Sequence, residues 1–371
     1  MVVRREAGLA QRAAGPVRRR RQVAGYARAV IRPVSNPPNP WQGVHVEWLG
    51  EPPPALPVVH EEQAKSILSE NDSPDLPFRW SLNPYRGCHH GCAYCYARPT
   101  HEYLGWGAGT DFERQLVVKT NAPELLTRAF ARRSWRGERI AFSGVTDCYQ
   151  PLEAEYGLTR ACLEVCLEHR NPVVIVTKGA LVRRDVDLLA RLAEEAWTAV
   201  HLSIPFADEA TSSALEPGAS SVAARFAALE TLASAGVPVG VSVSPLIPGL
   251  NDKQVPEILE RAKAAGAQAA WSILLRLPGS VRPVFQERIA EAVPGRAKAV
   301  LSALTEMGEG KLSRPGFGHR MKGSGARWQA MADLFALHCR RLGLAPREES
   351  LEGPGGTFRR PTGGQGQLFE T

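Results

Sequence analysis

From residue 78 to residue 275, short apolar runs of strand length alternate with longer segments of helical period. Strands are expected at 78–83, 140–143, 172–177, 198–204, 237–244 and 269–275. The run Val173-Val174-Ile175-Val176 is apolar at every position rather than at alternate ones. Such runs belong to strands covered on both faces, as in a parallel sheet flanked by helices. Helices are expected at 122–133, 157–169, 184–195, 219–235 and 253–265, the last two stopped by Gly236 and Gly266. The pattern predicts an α/β fold whose core, 77–280, is a partial TIM-like barrel of six strands.

The flanks read differently. Pro33, Pro37, Pro38, Pro40, Pro52, Pro53, Pro54 and Pro57 forbid long helices early in the chain. Trp41, Val44, Val46, Trp48 and Leu49 give that stretch something to bury, so 34–76 is expected to wrap the core in extended form. A helical extension is expected over 281–345, built around a helix at 323–342. The Gly- and Pro-rich tail, 346–371, is expected to be disordered.

Charge changes this picture only at one end. The net charge is +7, but nine arginines against the single acid Glu6 place +8 in residues 1–33, leaving −1 for the rest. That arm is expected to be disordered and able to bind polyanions non-specifically, while the core is not a basic protein. No apolar stretch approaches the roughly 20 residues needed to span a bilayer, and a cytoplasmic location is expected.

Parallel α/β sheets place their chemistry at the carboxyl ends of the strands. Unusual polar residues do follow the expected strands: Asn83 through Cys95, Thr146-Asp147, Thr177-Lys178, Ser203, Ser244 through Asn251, and Arg276. A polar pocket lined by Gln150 and Arg276 is expected on the substrate side, and Arg276 is also expected among the cofactor-binding residues.

The most specific feature is Cys88-His89-His90-Gly91-Cys92-Ala93-Tyr94-Cys95, spaced Cys-x3-Cys-x2-Cys with no fourth cysteine nearby. Three thiolates on one tight loop can hold three corners of a cubane iron–sulfur cluster and leave one iron open to a small molecule. Structural zinc, with His89 or His90 as fourth ligand, is an alternative. So is a disulfide with a spare thiol, although seven cysteines, an odd number, fit a reducing compartment better. Cys162 and Cys166 share a helix face with His169 one turn on; they read as small core residues, with a second metal site as the alternative.

Together with Asn83-Pro84-Tyr85-Arg86-Gly87, Tyr96-Ala97-Arg98-Pro99-Thr100-His101, Thr146-Asp147-Cys148-Tyr149-Gln150-Pro151 and Pro248-Gly249-Leu250-Asn251-Asp252, the loop resembles the radical S-adenosylmethionine (SAM) enzymes. More narrowly, it is similar to a bacterial, DNA-repair-photolyase-like branch related to spore photoproduct lyase, over residues 34–345. The resemblance implies a 4Fe-4S cluster on Cys88, Cys92 and Cys95, with SAM chelated at the fourth iron. It implies reductive cleavage of SAM to a 5′-deoxyadenosyl radical that abstracts hydrogen from a substrate, and a low-potential flavodoxin- or ferredoxin-type electron donor.

By the same resemblance Tyr94 packs beside cluster and adenine, and Thr146 and Asp147 hold the methionine amino end. Lys178 meets the methionine carboxylate, Ser203 contacts ribose or carboxylate, and the turn from Pro248 to Asn251 lies near the adenine. Photoproduct lyases use an extra cysteine as hydrogen donor; Gly144 falls at that position here, which leaves Cys148 as a speculative donor. The substrate class stays open, nucleic acid included. The competing class is a non-enzymatic, zinc-stabilised nucleic-acid-binding protein.

Overall fold

The computed structural model describes residues 32–48, 50–314, 316–346 and 356–360, with backbone strands at Val2–Arg5 and Arg18–Arg21. The rest of the basic arm, and the tail except 356–360, lie outside the described residues.

The core is a seven-stranded sheet. Its strands are β1 (Leu68–Glu70), β2 (Trp80–Leu82), β3 (Ile140–Phe142), β4 (Val173–Thr177), β5 (Thr198–Ser203), β6 (Val239–Leu246) and β7 (Ala269–Leu274). They stand in the order β7-β6-β5-β4-β3-β2-β1, with β1 and β7 at the two edges. The six expected strands are all present and all parallel, as in a partial barrel. β1, from the Pro-rich wrap, adds an antiparallel edge.

Helices α1 (Ala122–Ala131), α2 (Leu158–Glu168), α3 (Val186–Glu195), α4 (Val222–Ser234) and α5 (Val255–Ala264) fall between the strands. Their starts and stops follow local chemistry. Ser221 caps α4 by accepting the N–H of Ala224 at 3.2 Å, and Gly236, just past α4, takes a left-handed φ of 80°. The extension carries three helices, α6 (Val281–Ala292), α7 (Pro294–Met307) and α8 (Gly325–Leu342).

Val173, Ile175, Val200, Leu202, Val241 and Val243 are fully buried. Each such side chain contributes about 1.5–3 kcal/mol of hydrophobic stabilisation. Cys162 and Cys166 are also fully buried in this core. Among the described residues, no His, Cys, Asp or Glu group there is arranged to hold a metal.

A second, small sheet joins Val58–Glu62, Gln115–Lys119 and Tyr85–Arg86 with Arg18–Arg21. The sequence pattern did not predict it, because its strands are short and lack a clear alternation. Among the described residues no helix is long and apolar enough to cross a membrane.

Candidate active site

Parallel register brings the polar strand ends together. Thr177 pairs with Leu202 and Ser203 with Ser242, so Lys178 emerges beside Ser203. Lys178 Nζ donates to Ser203 Oγ at 2.8 Å, and Ser203 Oγ donates to the Ser244 carbonyl at 3.2 Å. These groups open onto a cavity of about 620 Å³ at the carboxyl ends of the strands. Cys88, Cys92 and Cys95 line the same cavity, as do Tyr94, Thr146, Asp147 and Arg276.

The cysteine loop is held from several sides. Gly87 sits at φ +74°, where a Cβ would meet His101 Cε1 at 2.9 Å and the Gln115 carbonyl at 3.0 Å. Arg98, fully buried, donates to the carbonyls of Gly91, Cys92, Ala108 and Gly109 and pairs with Glu113 at 2.7 Å. Arg288 also donates to the Gly91 carbonyl, at 3.0 Å, and pairs with Glu113. Burial works to raise the Glu113 pKa, but the guanidiniums of Arg288 and Arg98 bring it below the usual range. Gln150 braces the loop too, accepting the N–H of His89 at 3.0 Å and donating to the Gly87 carbonyl at 3.1 Å.

Asp147 lies in the cavity wall, yet its carboxylate is already occupied. Oδ1 accepts from Thr177 Oγ1 (2.6 Å) and the N–H of Tyr149 (2.9 Å); Oδ2 accepts from the N–H of Lys178 (2.7 Å) and faces His90 Nδ1 (3.3 Å). Burial raises its pKa, but His90 and these hydrogen bonds overcome that and hold it at about 2. These bonds make Asp147 a buckle tying the cysteine loop to β4. Thr146 Oγ1 likewise donates to the Tyr85 carbonyl, at 3.0 Å.

Tyr94 donates its hydroxyl to Glu216, a fully buried acid that pairs with Arg225 at 2.6 Å and faces Lys178 Nζ at 3.7 Å. Burial raises the Glu216 pKa, while Arg225 and Lys178 pull it below the ordinary value. Glu216 and Arg225 had no role assignable from sequence. Neither lies in a motif, and only the fold brings them behind Tyr94. Lys178 Nζ stands 5.7 Å from the Tyr94 ring centre.

Four expected residues lie elsewhere. Cys148 is fully buried in the main core, with its N–H on Ser143 Oγ, and is not part of the cavity wall. Gln150 is spent on the loop rather than lining a substrate pocket. Pro248 and Asn251 are buried behind the wall. Asn251 ties its turn together, accepting from the N–H of Ile247 at 2.6 Å and donating to the carbonyls of Pro205 and Pro245. The wall there is formed by Ser242, Ser244 and Pro245.

Burial pushes the three cysteine thiols upward, Cys92 to about 12. Their thiolate forms therefore call for a cationic partner. No three described His, Cys, Asp or Glu side chains converge as ligands of one metal ion. Thiolates that each hold a different iron of a cluster have no need to converge.

The sequence profile of the Radical SAM superfamily matches residues 82–262. An uncharacterised protein of Mycobacterium tuberculosis (strain ATCC 25618 / H37Rv) is 39% identical over 238 residues, spanning 63% of this chain and 70% of the relative. The Radical SAM Nalpha-GlyT isomerase of Pseudomonas phage M6 is 26% identical over 227 residues, 60% of this chain and 45% of that protein. Spore photoproduct lyase complexed with dinucleoside spore photoproduct superposes with a TM-score of 0.58 at 17% identity, covering 78% of this chain and 81% of that one. At that identity the likeness speaks for the fold alone.

Proposed function

Given that the chain belongs to the radical SAM superfamily, we propose that it is an enzyme that cleaves SAM reductively and uses the resulting radical on a substrate seated in the same cavity. The observation that carries this reading is the common opening of Cys88, Cys92 and Cys95 onto one chamber with Lys178 and Ser203. When bound, a 4Fe-4S cluster supplies an electron that breaks the C–S bond of SAM, giving methionine and a 5′-deoxyadenosyl radical.

The chain's own residues then have definite tasks. Cys88, Cys92 and Cys95, on a loop clamped by Arg98 and Gln150, would hold three irons of the cluster. Lys178, held toward the chamber by Ser203, offers a point charge to the methionine carboxylate. Asp147 positions Lys178 through its N–H rather than touching the ligand. Phe142, Val174, Val176 and Ile273 form an apolar wall that keeps water from a reactive intermediate.

Zinc with a histidine ligand is disfavoured, because among the described residues no three His, Cys, Asp or Glu side chains converge on one metal ion. A lyase finished by a cavity thiol is also disfavoured. Among the described residues the wall holds no cysteine beyond the three of the loop, and Gly144, which the resemblance sets at the donor position, lines it without a side chain.

The test is electron paramagnetic resonance of the anaerobically reconstituted, reduced protein with and without SAM. A cluster signal that shifts on adding SAM is expected; a signal indifferent to saturating SAM overturns the reading.

A further inference from the structure

Most polar groups around the cavity are committed to protein partners. Arg276, at the end of β7, differs: its Nε is buried and has no hydrogen-bond partner. The acid whose charge acts on it, Asp75, is already occupied. Asp75 accepts from Arg320 Nε at 2.5 Å and from the N–H of Gly318 at 2.6 Å. Arg276 thus lines the cavity with no ion pair of its own among the described residues; Asp75 acts on it only in part, and a second cation, Arg320, has the larger effect. A second unpartnered group, the buried hydroxyl of Ser244, lies on the same wall.

This region adjoins that of Lys178 through Ser244, whose carbonyl accepts from Ser203 Oγ at 3.2 Å, but different charges act in the two. Lys178 acts on Cys92, Cys95 and Glu216, whereas Arg276 is coupled to Arg320, Asp75 and Tyr96. Burial, reinforced by Arg320, lowers the Arg276 pKa and outweighs the opposing charge of Asp75. The wall of the same cavity includes Trp271, whose ring centre lies 4.2 Å from that of His201, and the exposed Phe317. The Phe317 ring is held by Arg320, whose guanidinium carbon is 4.5 Å from its centre.

We propose that Arg276 and Ser244 form the recognition site for an anionic group, a phosphate or a carboxylate, on a substrate with an aromatic body that packs against Trp271. A guanidinium with an open Nε matches the planar fork of either anion, and the hydroxyl of Ser244 adds a donor. An aromatic substrate body fills the apolar part of the chamber, while the anion supplies the direct ion pair that Asp75 gives to Arg320. The proposal rests on reading this cavity as the reaction chamber.

The experiment measures binding of phenyl phosphate, benzoate and benzyl alcohol to the reconstituted full-length protein by calorimetry, alongside Arg276→Gln, Arg276→Lys and Ser244→Ala. Circular dichroism and thermal melting establish that each variant is folded. One of the two anions should bind at least about tenfold more tightly than the neutral alcohol. That margin should vanish in Arg276→Gln, with partial retention in Arg276→Lys and a smaller loss in Ser244→Ala. The stronger of the two anions identifies phosphate or carboxylate as the group recognised. Equal binding of all three probes, or an anion preference unchanged in Arg276→Gln, overturns the proposal. No SAM cleavage is needed for this readout, so its failure and that of the proposed reaction are told apart.

Discussion

Arg98 donates to the carbonyl of Cys92 from both Nε (3.0 Å) and Nη2 (2.7 Å), so a side chain three residues past the last cysteine of the loop fixes the middle one from below. The same guanidinium satisfies three more buried carbonyls and the Glu113 carboxylate. Arg98→Met should leave these groups unpaired and cost on the order of 3–5 kcal/mol in stability. Denaturant unfolding and iron content per chain check this. An unshifted midpoint with full iron loading would show that the loop holds itself.

His101 gives the protein an acid-side sensitivity. Its Nε2 donates to the Gln115 carbonyl at 2.8 Å, while Nδ1 is buried with no partner. Burial lowers its pKa from 6.5 to about 4. The unfolded chain then binds the extra proton first, so the stability contribution is whole above about pH 6.5 and falls as pH drops towards 4. The loss amounts to about 3 kcal/mol at most. Unfolding free energies of wild type and His101→Gln, measured from pH 7 to 4, should converge as the pH falls. Parallel curves would remove His101 as the cause.

At Gly144 an added Cβ would meet Ser81 Cβ at 2.8 Å, which makes the position intolerant of any side chain. Gly144→Ala should destabilise by about 1–3 kcal/mol through overpacking, and adding Ser81→Gly should recover much of that. A double-mutant cycle with no coupling would contradict this geometry.

Lys178→Ala should weaken SAM binding by roughly tenfold to a hundredfold, the range of a lost charge-assisted hydrogen bond, while iron content stays intact. Titration of SAM into the reconstituted variant reads this directly. Wild-type affinity would take Lys178 out of the cofactor site.

Much of the core was legible beforehand, because continuous apolar strands such as 173–177 announce a doubly covered parallel sheet. The positions of the three cysteines, Lys178 and Ser203 followed from the rule that strand ends carry the chemistry. Asp147 and Asn251 carry protein partners that their place at strand ends did not reveal. A polar side chain at a strand end serves backbone and ligand equally well on paper, and only three-dimensional bookkeeping of donors tells which. Glu216 and Arg225 were hidden for a different reason. Their pairing with each other and with Tyr94 spans distant parts of the chain, and no local pattern encodes it.

The central claim is that the three-cysteine chamber cleaves SAM, and 5′-deoxyadenosine release tests it most directly. The reconstituted protein, kept free of oxygen, would be mixed with dithionite and SAM and compared with Cys92→Ala. Release of 5′-deoxyadenosine by the wild type and none by the variant is the predicted result. Equal release by both, or none from a fully loaded wild type that binds SAM and is supplied with an accepted substrate, would contradict it.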